Sequence, residues 1–162
     1  MSERRDTLKH FLELPVIKTL NKADIEASIP HRDPFLLVDE VRVLEEKKKY
    51  LGIKHVRADE YYFKGHFPQK PVMPGVLIVE TISQAFGGAI MSQISKEGGI
   101  PLFLSIDSAK FRGMVVPGDT LEMPIEILRL GKISKIYAEA YVKGKLCTQA
   151  CLTFILGENL HA

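Results

Sequence analysis

The stretch Gly65–Phe86, GHFPQKPVMPGVLIVETISQAF, dictates how the rest of the chain must be arranged. From Pro71 to Ser95 the only ionisable side chain is Glu80, set among apolar residues that include Val72, Met73, Val76, Leu77, Ile78, Val79, Ile82, Phe86 and Ile90. Pro74 and Gly75 punctuate a helix start, and the apolar residues that follow fall on nearly every face of the helix rather than on one stripe. A helix that is apolar all round is buried all round. The spacing predicts a helix from about Gly75 into the Ser92–Ser95 region, ended by Gly98, Gly99 and Pro101. Gly87 and Gly88 within it each cost about 1 kcal/mol relative to Ala, which points to very close packing or a local break.

Three groups with complementary chemistry converge at the start of that helix if the preceding loop folds back. Glu80 lies about 7–8 Å along the axis from Gly75. His66 precedes the helix by a loop whose conformations are limited by Pro68, Pro71 and Pro74. Unpaired N–H groups at a helix start can receive a developing oxyanion, and an imidazole can accept a proton near neutral pH. A carboxyl desolvated by apolar neighbours has a raised pKa and can donate one. Together they suit abstraction of a proton beside a carbonyl and expulsion of a leaving group. The same residues also fit a structural reading, in which His66 caps a loop and Glu80 finds a hydrogen-bond partner.

With 162 residues, 46% hydrophobic and 26% charged, the chain suits one soluble globular domain. Twenty-two Lys and Arg against 20 Asp and Glu leave a formal charge of +2, too balanced for general nucleic-acid binding. Cys147 and Cys151 read as small apolar residues in a reducing compartment. Met1–Asp6 is charged and lacks a signal-peptide core. Glu80, Ser83, Gln84, Gln93 and the Gly87-Gly88 pair argue against a membrane span, so the expected location is the cytoplasm.

Residues 1–21 are read as an N-terminal arm of unassigned role, in which Leu8, Phe11 and Leu12 have helical spacing, and residues 22–162 as one domain. Asn21 and Asp24 predict a helix over Lys22–Ser28, ended by Pro30. Strands are expected within Phe35–Leu44 and Tyr50–Val56, with Lys47, Lys48 and Lys49 solvated between them. A short turn or helix over Asp59–Phe63 carries Tyr61, Tyr62 and Phe63 towards the organising loop. After the helix, strands are expected from Leu102, over Thr120–Leu130, and as a hairpin of Lys132–Val142 with Leu146–Leu156. Pro124 suggests an edge or a bulge. The architecture is therefore α+β, an antiparallel sheet of about six strands curled around the long helix, with a second copy covering what one sheet leaves open.

The element order and the motif GHFPQKPVMPGVLIVE resemble the FabZ-type (3R)-hydroxyacyl-acyl-carrier-protein dehydratases, which have the hotdog fold. IPHRDPFLLVDEV, YYFKGHFP and SIDSAKFRGMVVPGDTLEM extend the resemblance over residues 22–157. It implies reversible dehydration of a (3R)-3-hydroxyacyl thioester to a trans-2-enoyl thioester in type II fatty acid synthesis, with no metal or redox cofactor. His66 matches the family's catalytic histidine and Glu80 its carboxylate, contributed by opposite subunits of a dimer. The Gly75 N–H matches the group that polarises the thioester carbonyl. The resemblance further implies an acyl-phosphopantetheine-bearing acyl carrier protein as partner, and a trimer of dimers.

Val76, Phe103 and Phe111 are the expected tunnel residues, and Arg112, Arg129, Lys132 and Lys135 are candidates for the acidic carrier protein. Glu80 and Val76 stand where a dehydratase-isomerase branch has Asp and commonly Cys, which favours dehydration without isomerisation. Two departures concern the tunnel: Leu102 stands near a position that is commonly Tyr, and ETISQ replaces a pattern of smaller apolar residues. His31-Arg32 matches a recurrent family motif and is read as structural, with Arg32 paired to a carboxylate or to backbone carbonyls. The competing functions are a dehydratase-isomerase or thioesterase of the same fold, and an acyl-binding module without chemistry.

Overall fold

The computed structural model describes residues 7–95 and 98–157, so residues 1–6 of the arm lie outside the described residues. In chain order the elements are α1 (Thr7–Glu13), β1 (Lys18–Leu20), α2 (Lys22–Ser28), β2 (Glu40–Glu45) and β3 (Lys49–His55). A 3-10 turn (Tyr61–Lys64) precedes α3 (Gly75–Ile94), and β4 (Ile100–Phe111), β5 (Thr120–Arg129), β6 (Ile133–Val142) and β7 (Lys145–Gly157) follow it. The strands form one antiparallel sheet in the order β1-β2-β3-β5-β6-β7-β4. Seven strands are present rather than about six. The additional one, β1, has three residues of which only Leu20 is buried, too few to display a period of two.

Thirteen of the twenty residues of α3 are buried, namely Ile78, Val79 and the whole run from Thr81 to Met91. The helix is long and apolar enough to cross a membrane, but it is the core of the sheet's concave face. Complete burial of Ile78, Ile82, Phe86 and Ile90 contributes about 1.5–3 kcal/mol for each side chain. No break occurs at the glycine pair. A Cβ on Gly88 would lie 3.1 Å from Ile25 Cγ2 of α2, and one on Gly87 would lie 2.3 Å from Pro101 Cγ of β4. The glycines are there for close approach.

Local chemistry fixes the remaining elements. Asn21 and Asp24 form a reciprocal capping box, with Asp24 N–H donating to Asn21 Oδ1 at 3.0 Å and Asn21 N–H to Asp24 Oδ2 at 2.9 Å. Lys143 and Gly144 both have positive φ, as the two-residue hairpin between β6 and β7 requires. Pro124 lies in β5, an inner strand rather than an edge, opposite Leu51 of β3. Its missing N–H is accommodated where the pairing between β5 and β6 skips from Glu122 to Ile125. On the convex face, Leu8 and Phe11 of α1 cover Leu44, Leu51, Ile53 and Tyr141.

Gly87→Ala sets a gain of about 1 kcal/mol in helix propensity against roughly 1–3 kcal/mol for forcing a methyl into a rigid proline ring. The clash wins, so the variant should melt below the parent protein, and further below it than Gly88→Ala. Equal thermal midpoints for Gly87→Ala and parent would refute the close-packing account.

Candidate functional site

The loop between the 3-10 turn and α3 folds back on itself. Val72 N–H donates to His66 O at 2.9 Å, Phe67 and Lys70 exchange backbone bonds at 3.1 Å, and Met73 N–H donates to Val115 O at 2.8 Å. The turn that leads into it is anchored by a buried ion pair. Lys54 Nζ lies 2.6 Å from Glu60 Oε1, with the two side chains only 3% and 8% exposed, and it also donates to Leu37 O at 2.8 Å. The other Glu60 oxygen accepts Arg57 N–H at 3.0 Å, so no charge is left unsatisfied.

His66 is held by its own loop. Its Nδ1 lies 2.7 Å from Val72 O, and its ring stacks on Phe67 at 4.2 Å between centroids. A carbonyl oxygen can only accept, so Nδ1 must carry a proton and the neutral ring presents the lone pair of Nε2. Any lone pair that the neutral ring offers is therefore at one defined nitrogen, Nε2.

Glu80 lies one and a half turns into α3, with 18% of its side chain exposed. Burial raises its pKa above the ordinary carboxylate value, partly opposed by the hydrogen bond from Gln84 Nε2 to Oε1 at 2.9 Å. Gln84 also donates to Phe35 O at 2.8 Å and accepts Leu37 N–H at 2.7 Å, joining the helix to the loop after α2. The side chain of His31, on that loop, approaches Glu80 Oε1 to 3.6 Å through Nε2. Arg32 donates to the carbonyls of Ile29, His31 and Glu26 at 2.7–2.9 Å, the backbone pairing expected of it. Gln84 was missed in the sequence although its spacing of four from Glu80 is a helical contact distance.

At the start of α3 the N-cap is Pro74, without a side-chain cap; Leu77 N–H donates to Pro74 O at 2.9 Å, which leaves the N–H groups of Gly75 and Val76 unclaimed by the helix's own turns. A Cβ on Gly75 would lie 2.7 Å from the ring of Phe111. Gly75 and Phe111 are therefore in contact, with Val76 71% exposed beside them. Phe103 is elsewhere: it stacks on Phe154 at 5.0 Å, roughly 25 Å from Phe111 along β4. Arg129, Lys132 and Lys135 sit at that same far end, in or beside the β5–β6 turn, with Lys135 Nζ 3.9 Å from Asp107. Arg112 follows Phe111 and donates from Nε to Gln149 Oε1 at 2.7 Å.

Among the described residues, no hydrogen bond or ion pair joins His66 to Glu80 within one chain. A polar cavity of about 250 Å³ between Lys22, Asp39, Arg57 and Tyr61 is not lined by His66, Gly75 or Glu80. No group of three or more His, Cys, Asp or Glu among the described residues could hold a metal ion.

A family model described as a FabA-like domain matches residues 29–151. The chain is 50% identical over 136 residues to a 3-hydroxyacyl-[acyl-carrier-protein] dehydratase FabZ of Desulforamulus reducens, covering 83% of this chain and 96% of that protein. It is 46% identical over 142 residues to a protein of the same name from Clostridium botulinum, covering 87% and 99%. Among solved structures, the dehydratase heterocomplex ApeI:P from Xenorhabdus doucetiae superposes with a TM-score of 0.71 at 16% identity, over 85% of this chain and 92% of that one. A Streptococcus mutans protein bound to acetyl CoA gives 0.52 at 19% identity, over 72% and 88%. The two structures share the fold; the sequence relatives and the family model go further, and the chain belongs to the FabA-like family as a FabZ-type dehydratase.

Proposed function

We propose that this chain is a hydro-lyase that reversibly dehydrates (3R)-3-hydroxyacyl-[acyl-carrier-protein] to the trans-2-enoyl thioester in fatty acid biosynthesis, with His66 as base, Glu80 as acid and Gly75 N–H as oxyanion donor. The observation that carries the assignment of roles is the pairing of His66 Nδ1 with Val72 O, which leaves Nε2 to take the α-proton. The negative charge that develops on the thioester oxygen is received at the uncapped start of α3. Glu80, whose proton burial makes harder to lose, gives that proton to the departing β-hydroxyl, which leaves as water. The substrate loses one proton to His66 and a hydroxide to the Glu80 proton. Solvent exchange then returns both side chains to their starting states.

Two copies complete the site in this reading. β4 is twelve residues long and forms one edge of the sheet, with Leu102, Leu104, Ile106 and Phe111 exposed on it. A long apolar edge invites pairing with another strand, and a second β4 is the self-complementary choice. Antiparallel pairing of the two β4 strands would carry Phe103 and the Arg129, Lys132 and Lys135 turn of one copy towards Phe111, Val76 and Gly75 of the other. That would unite the tunnel and carrier-protein residues that lie apart in one chain, and would let His66 meet the other copy's Glu80. A trimer of such dimers, located in the cytoplasm, is the assembly that the family resemblance implies. Glu80 and Val76, where the isomerase branch has Asp and Cys, support dehydration without isomerisation.

The decisive assay follows enoyl-thioester absorbance with crotonyl- and 3-hydroxybutyryl-carrier-protein substrates. The parent protein should interconvert them, and folded His66→Ala and Glu80→Gln should each lose roughly 10²-fold or more in kcat. Full activity in either variant removes that residue from the chemistry.

Burial of Glu80 also has a signed effect on stability. Its folded-state pKa is raised, so above the ordinary carboxylate range the unfolded chain holds fewer protons than the folded one, and stability falls as pH rises towards the raised value. Glu80→Gln removes this dependence. Its thermal midpoint should exceed that of the parent at neutral pH, and the difference should shrink as pH falls below the ordinary carboxylate range. A constant difference across that range would show that burial does not raise the pKa of Glu80.

A further inference from the structure

The loop that carries His31 is more firmly fixed than a surface turn needs to be. Arg32 ties three backbone carbonyls together, its own carbonyl accepts Phe35 N–H at 2.8 Å and Leu36 N–H at 3.0 Å, and Gln84 clamps Phe35 and Leu37 to α3. The clamped loop delivers one imidazole to Glu80. His31 is 19% exposed on its side chain, its Nδ1 is buried with no hydrogen-bond partner, and its Nε2 is 3.6 Å from Glu80 Oε1.

These contacts select a protonation pattern. A proton on Nδ1 would be a buried donor with nothing to receive it, whereas a proton on Nε2 faces a carboxyl oxygen. Among the described residues, the charged groups that face His31 are Arg32 on its own loop and Glu80 on α3. Burial and then the Arg32 charge lower the imidazole's pKa, so the ring that faces Glu80 is neutral. The neutrality matters chemically: an imidazolium would pull Glu80 towards its ionised form and remove the proton that catalysis needs. A separation of 3.6 Å is longer than a hydrogen bond, and contacts of this kind in ligand-free active sites tighten when substrate is bound.

We propose that His31 is a positioning residue for Glu80: with Gln84 Nε2–H it places a second neutral donor on Oε1, leaving Oε2 to carry the proton delivered to the substrate hydroxyl. After transfer, the negative charge left on Glu80 is concentrated on an oxygen that already faces two donors. The inference rests on Glu80 being the acid.

A double-mutant cycle tests it with the full-length protein: parent, His31→Leu, Glu80→Gln and the double variant, each assayed for kcat and KM across pH. His31→Leu should lower kcat by roughly tenfold or more with KM little changed. Losing a donor to the carboxylate raises the Glu80 pKa further, so the alkaline limb of kcat should move to higher pH. His31→Asn, which retains a neutral N–H donor, should recover part of the loss. In the Glu80→Gln background, His31→Leu should have no further effect on the residual rate. Multiplying losses in that background, or an unmoved alkaline limb, overturns the role of His31 and leaves the acid assignment intact. Full activity in Glu80→Gln overturns the acid assignment, and this inference with it. If His31→Leu does not fold, the pH profile of His31→Asn decides between an altered limb, which supports the role, and a superimposable one, which overturns it.

Discussion

A twenty-residue helix with apolar side chains on almost every face leaves the chain little choice of architecture. Water must be kept from Ile78, Ile82, Phe86 and Ile90 at once, and a flat layer can cover only one side of a cylinder. The antiparallel sheet therefore wraps, α2 closes over Gly88 through Ile25, and Pro101 presses on Gly87 from β4. Surrounding the helix also places its single carboxyl in a poorly hydrated position. The constraint that forms the fold is thus the one that raises the pKa of Glu80.

The loop before the helix solves a different problem, that of holding the His66 ring in one orientation. Its backbone closes onto Val72 and Val115, and the entering turn is held by the Lys54–Glu60 pair in the protein's interior. Such a pair adds little net stability over apolar residues of the same volume, but removing one partner leaves a buried charge. Its value here is geometric. Lys54 connects the end of β3, the Leu37 carbonyl and the turn that leads to His66, so the His66 loop and the Glu80 clamp share one anchor.

The central helix, the capping box at Asn21 and the β6–β7 hairpin were legible in the sequence because each leaves a local signature within a few residues. The first strand was not, since three residues display no period. Strand β3 was expected over Tyr50–Val56 although both its faces are covered, Leu51 and Ile53 facing α1 and Tyr50 lying in the main core, so that its β-rich composition rather than a clean alternation marks it. His66, Glu80 and Gly75 were chosen as site candidates from one continuous stretch and its family resemblance. Gln84 and His31 reach their partners across the join between the 29–37 loop and α3, some 47 residues apart for Gln84 and Leu37, a distance at which spacing carries no information. The separation of Phe103 from Phe111 was hidden for the opposite reason, since neighbours on one strand can still stand at opposite ends of a sheet.

The partner that fixes the tautomer of His66 is the main-chain oxygen of Val72, not a side chain. Every amino acid supplies that oxygen, so point substitutions at position 72 can vary the wall of the loop while leaving the base oriented. The control resides in the path of the backbone, and changes to that path, by insertion or deletion between the prolines, are what would disorient the imidazole. Variation is therefore expected to be free in residue identity at position 72 and strict in length across the segment.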